Sequence, residues 1–256
     1  MHELYLLHLG RVYYDPKNAD DPWGQVPGYL IRTASGRNIL VDTGNPVIPG
    51  GKTQRWYSKE LIIETLPGDD IVDRLAHLGL RPEDIDLIIS THLDFDHCGR
   101  HDVFAPLGTE VLVQRRHLEI LPSDPERYEP PLWNLPGLRY TELDGDTEIE
   151  PGLRVLETSG HSIGHQSVYV ETTDGPVIIA GDAIAREREV RLRRVPSWVE
   201  DVPAALATID RLLRLAEETG AYLIYGHEMS QWQSLPHSPE PFRRPRAEEA
   251  PAGIAG

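Results

Sequence analysis

The chain carries one supersecondary plan twice, and this limits the folds open to it. Residues 29–44, YLIRTASGRNILVDTG, and residues 168–183, VYVETTDGPVIIAGDA, match in outline. Each joins two β-rich runs through a glycine-bearing turn, ASGRN or TTDGP, as a hairpin requires. Gly36 and Gly175 suit the positive φ of such turns. Each run ends in a small-residue turn with an aspartate, Asp42 or Asp182. A helix is predicted over 69–80, where Ile71, Leu75 and Leu78 fall at helical spacing and Gly79 is the stop. A second is predicted from Asp201 as cap, with Pro203 in the first turn and Gly220 at the end. Leu206, Ile209, Leu213 and Ala216 line one face of it. DLIIST (86–91) and AYLIYG (221–226) then read as buried strands. The first delivers His92 and the second His227. Two β-β-α-β halves thus each bring a histidine to the C-terminal edge of a strand, where such sheets carry chemistry.

The stretch STHLDFDHCGRHD (90–102) concentrates His92, Asp94, Asp96, His97 and His101. Alternate residues of an extended segment share a face, so His92, Asp94 and Asp96 are expected to point together. His97 can reach a second ion nearby. Carboxylates and imidazoles this dense are costly to bury without a cation. Downstream, TSGHSIGHQSVYV places His161 in a glycine-flanked turn, with His165 four residues on. Asp182 and His227 each follow an apolar strand. Singly, each is equally a turn histidine, a helix cap or a strand-end polar residue. Their common position at strand ends points to metal ligation.

Charge narrows the partners. There are 25 basic and 41 acidic residues, a net of −16, which repels nucleic acid and anionic membranes. A small-molecule substrate is the expectation. No apolar run approaches the ~20 residues of a membrane helix. The N-terminus has no signal-peptide pattern, and Cys98 alone allows no intrachain disulfide. A cytoplasmic protein is expected, of unassigned oligomeric state. Residues 1–236 read as one domain. Residues 237–256, rich in Pro, Ala and charge, read as a mobile tail. The Pro-rich segment LPSDPERYEPPLWNLPG (121–137) is long for a connection, as functional or mobile loops often are.

Five features, DTG (42–44), THLDFDH (91–97), SGHSIGHQS (159–167), GDA (181–183) and GHE (226–228), resemble the metallo-β-lactamase superfamily. The set is most similar to its lactonase branch, which includes N-acyl-homoserine lactonases and 4-pyridoxolactonase. The resemblance implies an α+β fold, an αββα sandwich. It also implies two divalent metal ions, whether zinc, iron or manganese. One would be held by His92, Asp94 and His161, the other by Asp96, His97 and His227, with Asp182 bridging. Asp96 and Asp182 would be the catalytic carboxylates, and Asp42 and His165 would support the ligands. The implied activity is opening of a lactone or ester by a hydroxide between the ions, with N-acyl-homoserine lactone (quorum quenching) among the substrates. The alternatives are a glyoxalase-II-like thioesterase or other hydrolase, and a diiron redox protein.

Two positions depart from the family pattern. Asp94 stands where a histidine is usual, and a harder ligand there favours iron or manganese over zinc. Ala185 stands where homoserine lactonases have a tyrosine, leaving Tyr225, Tyr140 or a loop group to stand in. The family's loop after Asp42 borders the substrate pocket. That makes Trp56 and Tyr57 either cover for an acyl chain or half-buried aromatics of a surface loop.

Overall fold

The structure is a computed structural model that describes residues 1–13, 23–48, 53–56 and 59–245, with 53–56 and 59–60 as backbone only. In chain order the strands are β1 (Glu3–Tyr13), β2 (Trp23–Arg32), β3 (Asn38–Val41), β4 (Thr53–Trp56), β5 (Lys59–Glu64), β6 (Leu87–Ile89) and β7 (Glu110–Gln114). They continue with β8 (Arg139–Leu143), β9 (Thr147–Glu150), β10 (Leu153–Glu157), β11 (Gln166–Thr172), β12 (Gly175–Ile179) and β13 (Tyr222–Ile224). Among the described residues they form two sheets, ordered β4-β5-β1-β2-β3-β6-β7-β8 and β13-β12-β11-β10-β9.

The repeated plan is present in both sheets. β2 and β3 pair antiparallel, with Tyr29 opposite Val41, and β11 and β12 do the same, with Val168 opposite Ile179. A helix then leads to a parallel neighbour. Helix Ile71–His77, capped by Asp70, precedes β6 alongside β3. Helix Val202–Thr219, capped by Asp201 and closed by Gly220, precedes β13 alongside β12.

Period-two alternation divides the central strands between the cores on either face of their sheet. Leu4, Leu6, Ile39, Val41, Leu87 and Ile89 face Val155, Val168, Val170, Val177, Ile179 and Ile224 across the space between the sheets. The other face of the first sheet, including Leu7, Leu40 and Ile88, packs on Ile71 and Leu75. The outer face of the second sheet, including Tyr169 and Ile178, packs on Ile209 and Leu212. Helix, sheet, sheet and helix make the expected αββα sandwich. Burial on both faces explains the nearly unbroken apolar runs.

Two expectations need amendment. The tail expected from residue 237 does not begin loose. Ser238 N donates to Leu6 O at 2.9 Å, Phe242 N donates to Leu4 O at 2.6 Å, and the Phe242 ring enters the core between the sheets. One aromatic anchor outweighs a composition that reads as disorder. Residues 246–256 lie outside the described residues. The buried face of helix Val202–Thr219 runs through Ala205, Thr208, Ile209 and Leu212, while Leu206, Leu213 and Ala216 are only partly buried. The helix is turned toward Gly160, where an added Cβ would sit 2.4 Å from Ala205 Cα. Tyr57 and the Trp56 side chain lie outside the described residues. No helix among the described residues is long and apolar enough to cross a membrane.

Candidate metal centre

β3 and β6 end side by side, and their ends build one wall of the site. Asp42 turns the chain with φ of 58°, a left-handed conformation that Asp and Asn tolerate better than most residues. Its carboxylate accepts hydrogen bonds from Thr91 N at 2.7 Å and Thr91 Oγ1 at 2.8 Å. It also lies 2.8 Å from His97 Nδ1. The backbone is extended at Asp94 and then enters a helical turn, Phe95–Cys98. The expected alternation therefore stops at Asp94, and a helical turn presents Asp96 and His97. Leu93 and Phe95, buried in the outer core, anchor the turn. Gly99 lets it close against the 44–46 turn, since a Cβ there would sit 2.2 Å from Pro46 N.

The second sheet supplies the opposite wall. His161 sits in the turn before β11, Asp182 follows β12, and His227 follows β13. Gly226 permits this approach, because a Cβ there would meet Asp182 Oδ1 at 2.7 Å.

These elements bring the donors together in two sets. His92, His161 and Asp182 offer atoms all within 4.8 Å of one another, and so do Asp96, His97 and His227. Asp182 lies between them. Its Oδ2 is 3.5 Å from His161 Nε2, while its Oδ1 is 3.0 Å from His227 Nε2 and 3.6 Å from His97 Nε2. His92 Nε2, His97 Nε2 and Asp182 Oδ1 are buried without a hydrogen-bond partner among the described residues. Orphaned acceptors converging from both sheets fit metal ions, and little else satisfies them.

Neighbouring groups choose the nitrogen each ring presents. His227 Nδ1 donates to Gln25 O at 2.7 Å, leaving Nε2 for the site. Asp42 does the same for His97, the arrangement that orients metal-bound histidines. His165 acts from behind. Its Nε2 accepts from Asp182 N at 3.1 Å, and its Nδ1 bonds Thr158 Oγ1 at 2.9 Å. His165 thus supports the Asp182 turn, the supporting part expected of it.

The field of the site favours cations. Burial pushes the His97 pKa down, but the Asp96, Asp42 and Asp182 carboxylates raise it to about 10. Burial alone would raise the Asp182 carboxyl. The surrounding His227, His161 and His97 hold it well below the usual carboxylate range.

Asp94 has a different partner from the one expected. Arg127 forks it, with Nε 2.9 Å from Oδ1 and Nη2 2.8 Å from Oδ2. Burial would raise the Asp94 carboxyl, and the Arg127 charge together with His161 and His92 holds it well below the usual range. A buried carboxylate does need a cation here. In the structure that cation is a guanidinium from the Pro-rich loop. Asp94 remains close to both histidines, its Oδ2 being 3.3 Å from His92 Nε2 and 3.2 Å from His161 Nε2.

Sequence reasoning missed Arg127 and three of its neighbours. His117 Nε2 accepts from Leu93 N at 2.9 Å, and its Nδ1 donates to Ile163 O at 2.8 Å, tying the two ligand turns together. Glu200 accepts from Tyr128 Oη at 2.8 Å and from Ile163 N at 2.6 Å. The proline-rich loop was the only sequence signal near Arg127 and Tyr128. Ala185 contributes through its backbone, its carbonyl accepting from His227 N at 2.7 Å. Tyr140 Oη donates to Trp133 O at 2.8 Å, and Tyr225 packs in the outer core of the second sheet.

The profile of the Metallo-beta-lactamase superfamily matches residues 21–227. An N-acyl homoserine lactonase of a Bacillus species is 32% identical over 252 residues, covering 93% of this chain and 98% of its own length. N-acyl homoserine lactonase AiiA of Bacillus thuringiensis subsp. kurstaki is 33% identical over the same shares of the two chains. A solved N-acyl homoserine lactone hydrolase, with the product N-hexanoyl-L-homoserine at its catalytic metal center, superposes with a TM-score of 0.81. It is 31% identical over 93% of this chain and 98% of its own.

Proposed function

The chain belongs to the metallo-beta-lactamase superfamily, and from that membership we propose that it is a dinuclear metal-dependent hydrolase of lactones, with N-acyl homoserine lactones as its substrate class. The observation that carries this reading is the pair of donor sets meeting across Asp182, in a chain that aligns almost end to end with lactonases.

His92, His161 and Asp182 would hold one ion, and Asp96, His97 and His227 the other. Two divalent ions held there would supply Lewis acidity toward a carbonyl oxygen and acidify water to near neutral pH. The protein's own part is placement and proton handling. Asp42 and Gln25 fix the rings of His97 and His227, and His165 fixes the Asp182 turn. Ring opening adds water across the ester C–O bond: the acyl carbon gains the hydroxyl and the ring oxygen gains a proton. Asp182, with one oxygen toward each set, is the carboxylate we assign to hold and hand on that proton, with Asp96 beside it. Because Arg127 neutralises Asp94, the donor sets carry no excess negative charge from that substitution. The imidazole-rich sets then suit zinc ahead of iron or manganese. The single buried cysteine fits a cytoplasmic setting, which is part of the same proposal.

The test is turnover by purified protein, read as acid release, on homoserine lactones of several acyl lengths, a thioester and a β-lactam. Lactone opening is expected to dominate, to stop with a chelator and to return with added zinc. Thioester turnover exceeding lactone turnover would replace this reading with the thioesterase one.

A further inference from the structure

Asp94 stands beside the donor set of His92, His161 and Asp182 without joining it. Its Oδ2 lies 3.3 Å from His92 Nε2 and 3.2 Å from His161 Nε2. That is within reach of an ion the two rings would share. Both Asp94 oxygens are instead engaged by Arg127, whose Nε donates to Oδ1 and whose Nη2 donates to Oδ2. Both side chains are buried. A guanidinium meets a carboxylate edge to edge through two parallel bonds, which makes the pair directional as well as strong.

The guanidinium is itself held in place. Its Nη1 donates to His161 O at 3.3 Å and Trp198 O at 3.4 Å, and lies 3.2 Å from Glu200 Oε1. The backbone N–H groups of Arg127 and Tyr128 both donate to Asp124 O, at 3.2 and 2.9 Å. For Asp94 to ligate an ion, an oxygen must leave the fork, and a buried N–H is then stranded at a cost. An oxygen that stayed in the fork and also bound zinc would hold the ion within ~5 Å of the guanidinium. Two positive charges that close repel strongly in a buried site. Nη2 already stands on that side, 3.0 Å from His161 Nε2.

We infer that Arg127 withholds Asp94 from the metal, so that Asp94 is a latent ligand and His92, His161 and Asp182 are the donors left to their ion. This rests on the two-metal reading and adds to it a positioning residue, Arg127, which acts on the centre through Asp94. Three protein donors is the number at which catalytic zinc keeps a position open. The fork therefore keeps a carboxylate from filling that position. Without Arg127 the buried Asp94 carboxylate needs another cation, and an ion at His92 and His161 is close at hand.

The experiment is a pair of crystal structures of zinc-loaded protein, wild type and Arg127→Met, with zinc affinity measured by competition with a chromophoric chelator. In wild type both Asp94 oxygens should remain on Arg127, well outside the ~2.0–2.2 Å of a zinc–carboxylate bond. In Arg127→Met one of them should bind zinc at that distance. The added donor should tighten one of the two zinc ions by ~10-fold or more, and the double variant Arg127→Met/Asp94→Asn should cancel the gain. If Arg127→Met does not fold, Arg127→Lys takes its place. Its single ammonium cannot fork a carboxylate, so one Asp94 oxygen should turn to zinc. Zinc bound to Asp94 in wild type, or Asp94 off the zinc in the folded variant, would overturn the inference and leave the two-metal reading intact. Wild type that takes up fewer than two zinc ions would overturn both.

Discussion

His97 Nδ1 and Asp42 Oδ2 stand 2.8 Å apart, and the same oxygen accepts the Thr91 hydroxyl at 2.8 Å. One aspartate at the end of β3 thereby fixes a ring presented by the turn after β6. Asp42→Asn tests this without disturbing the backbone, because asparagine also tolerates the left-handed φ of 58°. The ion held with His97 should weaken by ~10–100-fold, read by chelator competition, with little change in far-ultraviolet circular dichroism.

Asp182 places one oxygen toward each donor set. Asp182→Asn removes the shared charge, so metal content and lactone turnover should fall together. Elemental analysis beside kcat measures this. Full turnover with both ions retained would take Asp182 out of the centre.

Glu189 gives a pH signature. It is buried, accepts from Ala185 N at 2.9 Å, and has its pKa raised to about 7, chiefly by burial. In the unfolded chain it ionises near ~4.3. Between those values the native state binds the extra proton. Its contribution is therefore fully present at acid pH and is lost as pH rises toward 7. Glu189→Gln carries no charge to bury. Its stability relative to wild type should rise between pH 5 and pH 8, by up to about 3 kcal/mol, in urea unfolding at each pH. A difference independent of pH would refute the assignment.

Phe242 ties the C-terminal segment to β1. Phe242→Ala should cost about 3 kcal/mol of stability and lower Tm, while kcat at 25 °C stays at the wild-type value. A Tm unchanged by the substitution would mean the ring contributes no packing.

The parts of the fold legible from sequence were those where local and tertiary demands agree. Gly36 and Gly175 mark hairpin turns, and the runs around Ile88 and Ile178 are apolar at every position because both faces are buried. The histidines and aspartates of the two donor sets were legible because each lies at the end of such a run. Arg127 was not, because a single arginine in a proline-rich loop has the composition of a surface. Only packing brings it to Asp94. The need of Asp94 for a cation was readable, and the identity of that cation was not. His117, one histidine among the charged residues of RRHLEI, was hidden for the same reason. Phe242 was masked by the prolines and charges around it.

Neither donor set belongs to one half of the chain. His92 meets His161 and Asp182, and Asp96 with His97 meets His227. Each ion would therefore act as a crosslink between segments far apart in sequence, and a fragment carrying only one half would lack a complete set. Occupancy of the centre thus reports that the two halves have docked. Two fragments divided between β8 and β9 would recover tight zinc binding only on meeting, which makes the metal itself a readout of assembly.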